Sequence, residues 1–534
     1  MFKPLFLTLG LLTTAALHAE TVPALAIGEA QPVALKDIVS IKFTTDQLTL
    51  LQTDGTQLHQ DLQPLRFTTI EEESALPGLQ QPTDAPVSIY TLSGKLVQQT
   101  GSQQLQSALS SLPAAPYILR QGQTSSRVIY NTTRLQSTAA TTTLTDTGTA
   151  TTLTGTGTTT LTDTPSPVLG GLAASNIPAA DVATVTALQV QGSGIDPQLA
   201  LSRVDSLAFS DDQQYLYLYY NGQGSGFAIH DLTGISFPAL QEYVSINYAG
   251  DQVDGINPYI FDGVFIFNDG AGVSVTNFAV MQEVEYQLTG SSDNGYFHIN
   301  SEYKWKATLV GLNLTNPNGS VILSHTGKKG TIKSQNGYTN NLCDGAQYTE
   351  LPDIAQKAAI FGEGQLVFSG KGTLNVTSLA KHGIASDDYV SFENGQVNVL
   401  SAIGDAVHAN DSVLVQSGTV TLASLSDGID CEGPVTIRRG EKGAPTLTIT
   451  TTADGAKGIK TGHNFLMTDG TVTINQTGGP DTSGDDKSNV ISIKAERNIT
   501  IQGGKLVINN TAKGGKAFSA GGTLDISDNA EVIQ

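Results

Sequence analysis

Cysteine, tryptophan and charged side chains are all scarce in this chain of 534 residues. The only two cysteines are Cys343 and Cys431, so a disulfide scaffold is excluded, although the two could still pair in an oxidising compartment. Charged residues make up 14% of the chain, and the formal net charge is −21. Because phosphate contacts need clustered lysine and arginine, this balance argues against nucleic-acid binding.

Long apolar runs are confined to the first residues. Lys3 is followed by an apolar core and by small residues ending at Ala19, which is the pattern of a cleaved secretory signal over residues 1–19. We expect a mature chain that begins near Glu20 and is secreted to the periplasm, cell surface or medium. No later run approaches the ~20 apolar residues of a transmembrane segment.

Glycine, by contrast, is abundant at 56 residues, and Thr, Val, Ile and Leu dominate the remainder. This composition favours β structure over helix. At roughly 150 residues per domain, the length predicts three or four domains. We therefore expect an all-β, multidomain protein.

Two stretches of similar sequence, residues 20–83 and 181–245, predict a duplicated small β unit. Three segments align between them: Ile41-Lys42-Phe43 with Leu207-Ala208-Phe209, Asp54-Gly55 with Asn221-Gly222, and Leu65-Arg66-Phe67 with Ile235-Ser236-Phe237. A Thr-rich tract over residues 132–180 has too little large apolar surface for a core and is predicted to be a linker.

Residues 84–131 contain "APVSIYTLSGKLVQQTGSQQLQSALSSLPAAPYILRQGQTSSRVIYN". This sequence resembles the C-terminal sorting domain of the type IX secretion system, with its Val-x-Ile-Tyr-x-Leu-x-Gly-Lys strand and turn. That family places the unit at the end of the chain, whereas here about 400 residues follow it. We therefore expect a β-sandwich-like module of the same descent, without a sorting role.

A turn-and-strand cassette recurs through the C-terminal half, from "GKGTLNVTS" to "QGGKLVINN". Its strands are predicted to start at Thr373, Gln396, Thr419, Thr446, Thr471 and Lys505, a period of about 23 residues. One period is too short to bury a face alone, so successive periods must stack. Residues 246–534 are therefore predicted to form a right-handed parallel β-helix.

Stacking places equivalent residues of successive coils ~4.8 Å apart. A second turn aligns on Ile384, Val407, Ile429, Ile459 and Ile493. Its flanking columns are His382, Asp405, Asp427 and Lys457 on one side, and Ala385, His408, Asp430, Lys460 and Lys494 on the other. The stretch "GDAVHANDSVLVQSGTVTLASLSDGIDCEG", residues 404–433, is thus predicted to be two coils of one acidic ladder.

The ladder offers two interpretations. Asp387, Asp405, Asp427 and Glu432 carry the oxygen ligands that calcium prefers, so calcium is a candidate cofactor. The alternative is that Asp-Gly turns simply face water. His382 and His408 fall in different columns, which does not favour a zinc site or a catalytic dyad.

With those residues in view, residues 284–532 resemble a bacterial carbohydrate-binding family of secreted right-handed β-helices, similar in shape to pectate lyases. The resemblance is carried by "AAIFGEGQLVFSGKGTLNVTS", "KHGIASDDY", "GDAVHAND" and "SDGIDCEG". Asp427-Gly428-Ile429 keeps the family's usual Asp-Gly-Ile, whereas Asp405-Ala406-Val407 departs from it. The resemblance implies binding of polysaccharide, including acidic pectin-like chains, with calcium in some members.

Our leading hypothesis is a non-catalytic polysaccharide-binding protein, with no catalytic residues. The expected ligand-binding residues are Asp405, Asp427, Asp430, His408, Lys460 and Lys494. A calcium-dependent lyase of the pectate-lyase type is the second hypothesis, with Asp405, Asp427 and Lys460 around the substrate. A cell-surface adhesin is the third, suggested by the Thr-rich linker and the modular N-terminal half.

Overall fold

The computed structural model describes residues 19–44, 46–73, 87–91, 96–100, 115–121, 125–131, 186–192, 194–352, 354–483 and 488–534. Strands dominate these residues, which contain short 3-10 turns and no α-helix. The expected all-β class is therefore confirmed. The Thr-rich linker and the expected signal peptide, except its last residue Ala19, lie outside the described residues.

Strands β1 to β6 are Ala19–Ile27, Val33–Ala34, Ile38–Phe43, Gln47–Gln52, Gln57–Asp61 and Leu65–Glu73. Strands β7 to β10 are Val87–Thr91, Leu96–Thr100, Ala115–Gln121 and Ser125–Asn131, and they form a four-stranded antiparallel sheet in the order β10-β9-β7-β8. Strands β11 to β16 are Ala187–Gly192, Ile195–Ala200, Val204–Phe209, Tyr215–Tyr220, Gln223–Ala228 and Leu232–Ser236. The 3-10 turns are Leu35–Asp37, Leu201–Arg203, Ile229–Asp231 and Ile260–Asp262.

The two similar β units join into one body. A six-stranded sheet runs β15-β14-β13-β3-β4-β5, and its centre is the pair formed by Leu207 and Ile41. The second junction, between β16 and β6, pairs Ile235 with Leu65. The sequence alignment already equated these residues, so each meets its own counterpart, as a local two-fold axis requires.

Aromatic contacts repeat the same symmetry. The ring centroids of Phe43 and Phe237 lie 5.6 Å apart, and those of Phe67 and Phe209 lie 6.4 Å apart. Each contact joins one unit to the other, and the two contacts exchange under the local axis. Residues of both units share one buried apolar cluster, so the duplicated units form one core instead of two.

Strands β17 to β20 are Val244–Ala249, Gln252–Asn257, Val264–Asp269 and Gly272–Asn277. They connect the symmetric body to the C-terminal half, because β12 pairs in parallel with β18 and β17 pairs in parallel with the strand that begins at Val284. The boundary predicted between residues 245 and 246 therefore falls inside β17. The periodic region begins as a direct continuation of the preceding sheet.

The remaining strands follow one another around stacked coils. They are β21 (Val284–Ser292), β22 (Tyr296–Ser301), β23 (Trp305–Asn316), β24 (Ile322–Ser324), β25 (Gly330–Ser334), β26 (Thr339–Asp344), β27 (Ala358–Gly362), β28 (Leu366–Gly370), β29 (Thr373–Ser378), β30 (His382–Ser386), β31 (Tyr389–Phe392), β32 (Gln396–Ala402), β33 (Val407–Ala409), β34 (Ser412–Val415), β35 (Thr419–Ser424), β36 (Ile429–Cys431), β37 (Val435–Ile437), β38 (Thr446–Thr451), β39 (Lys457–Thr461), β40 (Phe465–Met467), β41 (Thr471–Gln476), β42 (Ile491–Ala495), β43 (Ile499–Ile501), β44 (Gly504–Asn510), β45 (Lys516–Ala520), β46 (Leu524–Ile526) and β47 (Ala530–Ile533).

Every third strand pairs in parallel with its counterpart in the next coil, which produces three rows. Row one is β22, β24, β27, β30, β33, β36, β39, β42 and β45, with β19 and β20 at its start. Row two is β25, β28, β31, β34, β37, β40, β43 and β46, and row three is β26, β29, β32, β35, β38, β41, β44 and β47. The long strand β23 begins row two and row three together.

Row three contains the cassette found in the sequence. All six predicted strand starts pair with one another in order, from Thr373 with Gln396 to Thr471 with Lys505. Gly395 and Gly418 precede two of these strands with φ of 87° and 80°, a left-handed conformation that strongly favours glycine. The predicted inward residues Leu374, Val376, Val397, Val399, Val420 and Leu422 are all buried.

Trp305 and the two cysteines have defined places in the coils. Trp305 is fully buried and donates its indole N–H to the Ser324 hydroxyl at 3.1 Å, so it belongs to the core. Cys343 lies on β26 in row three and Cys431 on β36 in row one, and both are free thiols. The two cysteines do not form the disulfide that the sequence left open.

His298 on β22 gives the coils a dependence on pH. Its Nε2 atom lies 3.0 Å from the Ser320 carbonyl, and its ring stacks on Tyr296 at 4.1 Å. Burial lowers the pKa of His298 to about 4, although part of the side chain still reaches the surface. In the unfolded chain His298 becomes protonated near pH 6.5, whereas in the folded chain it stays neutral until about pH 4. The free energy of unfolding therefore falls as the pH drops from about 6.5 to about 4.

We expect the wild-type protein to lose about 1 kcal/mol more unfolding free energy between pH 7 and pH 5 than His298→Gln, after allowance for solvent screening. Glutamine keeps an N–H for the Ser320 carbonyl but cannot titrate. Urea unfolding at both pH values measures the difference. His230→Gln, at an exposed side chain, is the control and should keep the wild-type pH dependence. An equal loss in wild type and His298→Gln contradicts the assignment.

Candidate functional site

Row one carries the residues that the sequence selected. Ile384, Val407, Ile429, Ile459 and Ile493 pair in that order along the row and are all fully buried. The following residues form the next column, in which Ala385 is fully buried against Leu323 and Phe361. The other members are partly exposed and form the outer column His408, Asp430, Lys460 and Lys494. The predicted register is therefore the observed one.

The column two residues earlier lies at the corner where each coil enters row one. There the side chains of His382, Asp405 and Asp427 each accept a hydrogen bond from the backbone of the next coil. His382 Nδ1 accepts the N–H of Asp405 at 3.0 Å, and Asp405 Oδ1 accepts the N–H of Asp427 at 2.9 Å. Asp427 Oδ1 accepts the N–H of Lys457 at 2.6 Å. The acidic ladder therefore ties each coil to its successor through main-chain donors.

Asp405 and Asp427 nevertheless differ in their electrostatics. Burial acts to raise the pKa of Asp405, but interactions with His382 and His408 outweigh it and hold that pKa well below its usual range. Burial, reinforced by the negative charge of Asp405, raises the pKa of Asp427 to about 6. One carboxylate of the ladder is thus stabilised as an anion, whereas its neighbour resists ionisation.

His382 and His408 are brought together, contrary to the expectation from their columns. Their ring centroids lie 4.8 Å apart with an interplanar angle of 16°, a stacked arrangement. The column argument assumed that a strand alternates regularly, but His382 stands at the corner, where alternation does not fix the direction of a side chain. Its ring therefore lies beside the outward-facing ring of His408 in the next coil.

The lysines on the outer face of row one form ion pairs with acidic residues of the same face. Lys460 Nζ lies 3.0 Å from Asp430 Oδ2 and 4.0 Å from Asp427 Oδ2, and Lys494 Nζ lies 2.7 Å from Glu496 Oε1. Burial acts to lower the pKa of Lys460, but the hydrogen bond and charge of Asp430 outweigh it, so that pKa is raised. The side chains of Lys460 and Lys494 are both partly exposed.

The expected calcium ligands are not gathered into one group. Asp387 forms an ion pair with Lys357, and one oxygen each of Asp405 and Asp427 is used by the backbone of the next coil. In the part of the chain that the structure describes, the group of three acid or histidine side chains close enough to share a metal is His382, Asp405 and His408. Asp387, Asp427 and Glu432 do not belong to it.

Sequence reasoning left two contributors out of the expected ligand set, His382 and Lys457. Burial lowers the pKa of Lys457, whose ammonium donates to the Gly455 carbonyl and the Ser488 hydroxyl. Both residues occupy the corner column that the sequence alignment identified. The alignment did not predict the direction of the side chains at that corner.

The coils of this chain match one known protein family. Residues 269–531 match the family of carbohydrate-binding domain-containing proteins. That match spans just under half of the chain and includes every residue of the row-one face from His382 to Glu496. The carbohydrate-binding match thus covers the part of the chain in which the coils stack.

Among solved structures, a similar one is that of the polysaccharide lyase-like protein from C. thermocellum, in its gadolinium derivative. It shares 20% identity with a TM-score of 0.39, over 55% of this chain and 100% of that chain. A TM-score of this size does not assign a fold or an activity. No curated protein matches the sequence. The described residues include no helix with the length and hydropathy to cross a membrane.

Proposed function

We propose that this protein binds an acidic polysaccharide, without cleaving it, through the outer face of row one. The observation that carries the proposal is the outer column His408, Asp430, Lys460 and Lys494, which presents one polar side chain per coil inside the carbohydrate-binding match. Strands of neighbouring coils lie ~4.8 Å apart, so an extended glycan lying across the coils meets hydrogen-bonding groups at regular intervals.

The charges on this face favour a uronic acid over a neutral sugar. Lys457 and Lys460 lie on one coil and Lys494 on the next, and the positive charges of Lys460 and Lys494 add to burial in lowering the pKa of Lys457. A carboxylate placed among these ammonium groups relieves their mutual repulsion. Asp430 and Glu496, which now pair with Lys460 and Lys494, can accept hydrogen bonds from sugar hydroxyls when the lysines turn to the ligand.

We propose in addition that the stacked coils form a right-handed parallel β-helix. Crossover connections between parallel strands of one sheet are right-handed in about 98% of cases, and each row of this protein is a parallel sheet fed by such connections. We also propose that the chain is exported, on the basis of the signal-like residues 1–19. An adhesin of the same fold would sediment with cells, whereas a released binder would stay in the medium.

Affinity electrophoresis of the full chain tests the binding proposal. The gels contain polygalacturonate or a neutral glucan, each with and without EDTA. We expect retardation by polygalacturonate that weakens as salt is added, since screening reduces contacts between exposed charges. If no polysaccharide retards the protein, the proposal fails.

We expect no lyase activity from the same preparation. A lyase of the pectate-lyase type needs a base to remove the proton α to the uronate carboxyl, and Lys460 was the residue considered for that role. Its raised pKa keeps it protonated at neutral pH, which makes it a poor base. Ultraviolet absorbance of unsaturated uronide is the measurement, with polygalacturonate, calcium and a pH series. An increase in absorbance that Lys460→Gln abolishes would contradict this expectation.

A further inference from the structure

The paired histidines and Asp405 place three electron-rich atoms in one small space. Their ligand atoms all lie within 4.8 Å of one another. Asp405 Oδ2 lies 3.2 Å from His382 Nδ1 and 3.8 Å from His408 Nδ1. Asp405 itself is almost fully buried, so bulk water does little to separate these atoms.

Hydrogen bonds within the group do not account for this arrangement. His382 Nδ1 accepts the backbone N–H of Asp405, so this nitrogen carries no proton to give to the Asp405 carboxylate. Two acceptors, His382 Nδ1 and Asp405 Oδ2, therefore face each other at 3.2 Å. His408 Nδ1 is buried and has no hydrogen-bond partner. A cation between these atoms resolves both unfavourable features once His382 Nδ1 releases the N–H of Asp405, because an imidazole nitrogen has one lone pair, for either a hydrogen bond or a metal.

We propose that His382, Asp405 and His408 bind a divalent transition-metal ion of the zinc class. Bonds of about 2.0–2.1 Å in a tetrahedral site place ligand atoms roughly 3.3 Å apart, close to the separations of 3.2 and 3.8 Å around Asp405 Oδ2. Two imidazoles and one carboxylate suit zinc, whereas calcium takes six to eight oxygen ligands. Three protein ligands also leave a fourth position open to water or another oxygen ligand.

Neighbouring residues support the same assignment. Asp430 Oδ2 lies 3.9 Å from His408 Nδ1 and is held by Lys460 Nζ at 3.0 Å. Asp405 is fixed in turn by the N–H of Asp427. The Asp405 ligand, held in place by this hydrogen bond, loses little freedom when a metal binds. The metal site does not depend on the proposed glycan binding, because it is formed by this group and its immediate neighbours.

Isothermal titration calorimetry of the full chain tests the proposal, after EDTA treatment and dialysis. Zinc chloride and calcium chloride are titrated separately into wild type, His382→Gln, His408→Gln and the control His230→Gln. We expect one zinc ion per wild-type chain, and a loss of at least about 100-fold in affinity in each of the first two variants. His230, an exposed histidine outside the stacked coils, should be dispensable, and calcium should not compete.

A second readout separates a metal site from a change in folding. Cobalt(II) replaces zinc with visible absorption from a four-coordinate site, and that absorption should be absent from His408→Gln although its urea-unfolding midpoint remains near that of wild type. Zinc uptake that is equal in wild type and both variants would overturn the proposal. Failure of the wild type to take up zinc or cobalt would also overturn it, leaving a protonated His408 as the cation of this group.

Discussion

Replacing Lys460 and Lys494 together with glutamine should weaken binding to polygalacturonate by about 100-fold. A hydrogen bond that involves a charged group is worth roughly 1.5–3 kcal/mol, and each factor of ten in affinity corresponds to about 1.4 kcal/mol. Two such contacts therefore account for about two orders of magnitude. Either single substitution should cost about tenfold, because the lysines lie on successive coils and, in the binding mode we propose, contact different sugars of one chain.

The same substitutions should change the response to salt. Loss of two ammonium groups removes most of the attraction that salt can screen, so the remaining affinity of the double variant should depend little on ionic strength. Titration of the full chain with polygalacturonate oligomers at two salt concentrations measures both effects. The comparison separates a lost charge contact from a lost fold, since a misfolded variant would bind at neither concentration.

A matched control is available on other parts of the coils. Lys306 forms ion pairs with Glu285 at 2.6 Å and Glu283 at 3.9 Å, and Lys505 forms one with Glu531 at 2.8 Å. These lie on β23 and β44, outside row one. The double variant Lys306→Gln/Lys505→Gln removes the same charge and should bind as wild type does. If both double variants lose affinity equally, net charge alone governs binding and the row-one face has no special role.

The strands of the coils were predictable because three signals coincide at each of them. Row three combines a turn glycine, a strand of alternating apolar residues and a nearly constant spacing, and these set the register of Thr373 on Gln396 and of Thr471 on Lys505. Insertions between the coils lengthen the loops without shifting that register. Pairing in the stack depends on which residues face inward, and inward residues are what a sequence pattern reveals most directly.

The arrangement of the N-terminal units was not predictable from the same signals. The alignment of Ile41 with Leu207 showed that the units are related, but it did not show that these two residues pair. Two copies of one unit can stand apart or share a sheet, and the difference is a matter of which sheet edges and apolar faces meet. Here unpaired edges at β3 and β6 are covered by β13 and β16, which removes exposed strand edges.

The arrangement of the candidate site was predictable from the sequence only in part. Alignment of the columns placed Asp405 beside Asp427, and the structure agrees. The same alignment separated His382 from His408, which are stacked. A column specifies position along the stack and not the direction of a side chain at a corner. A repeat pattern therefore does not predict which way a long side chain at a corner points. The candidate site consists largely of such side chains.

The two acids of the ladder should respond unequally to the same substitution. At pH 7 we expect Asp405→Ala to lower the unfolding free energy by about 3 kcal/mol and Asp427→Ala to lower it by about 1 kcal/mol. Each substitution removes one acceptor of a backbone N–H. Asp405→Ala also removes the favourable interaction of that carboxylate with His408, whereas removal of Asp427 relieves the burial and repulsion that raise its pKa to about 6. Urea unfolding of metal-free protein measures both values.

The asparagine variants separate the hydrogen bond from the charge. Asp427→Asn keeps an oxygen for the N–H of Lys457 and removes the repulsion from Asp405, so it should be at least as stable as wild type. Asp405→Asn keeps an oxygen for the N–H of Asp427 but loses the negative charge between two imidazoles, so most of the cost should remain. Equal costs at the two positions would mean that backbone hydrogen bonds alone set the value of the ladder. A larger cost at Asp405 than at Asp427 would show that the charge of Asp405 beside the histidines adds to the stability that the backbone hydrogen bonds provide.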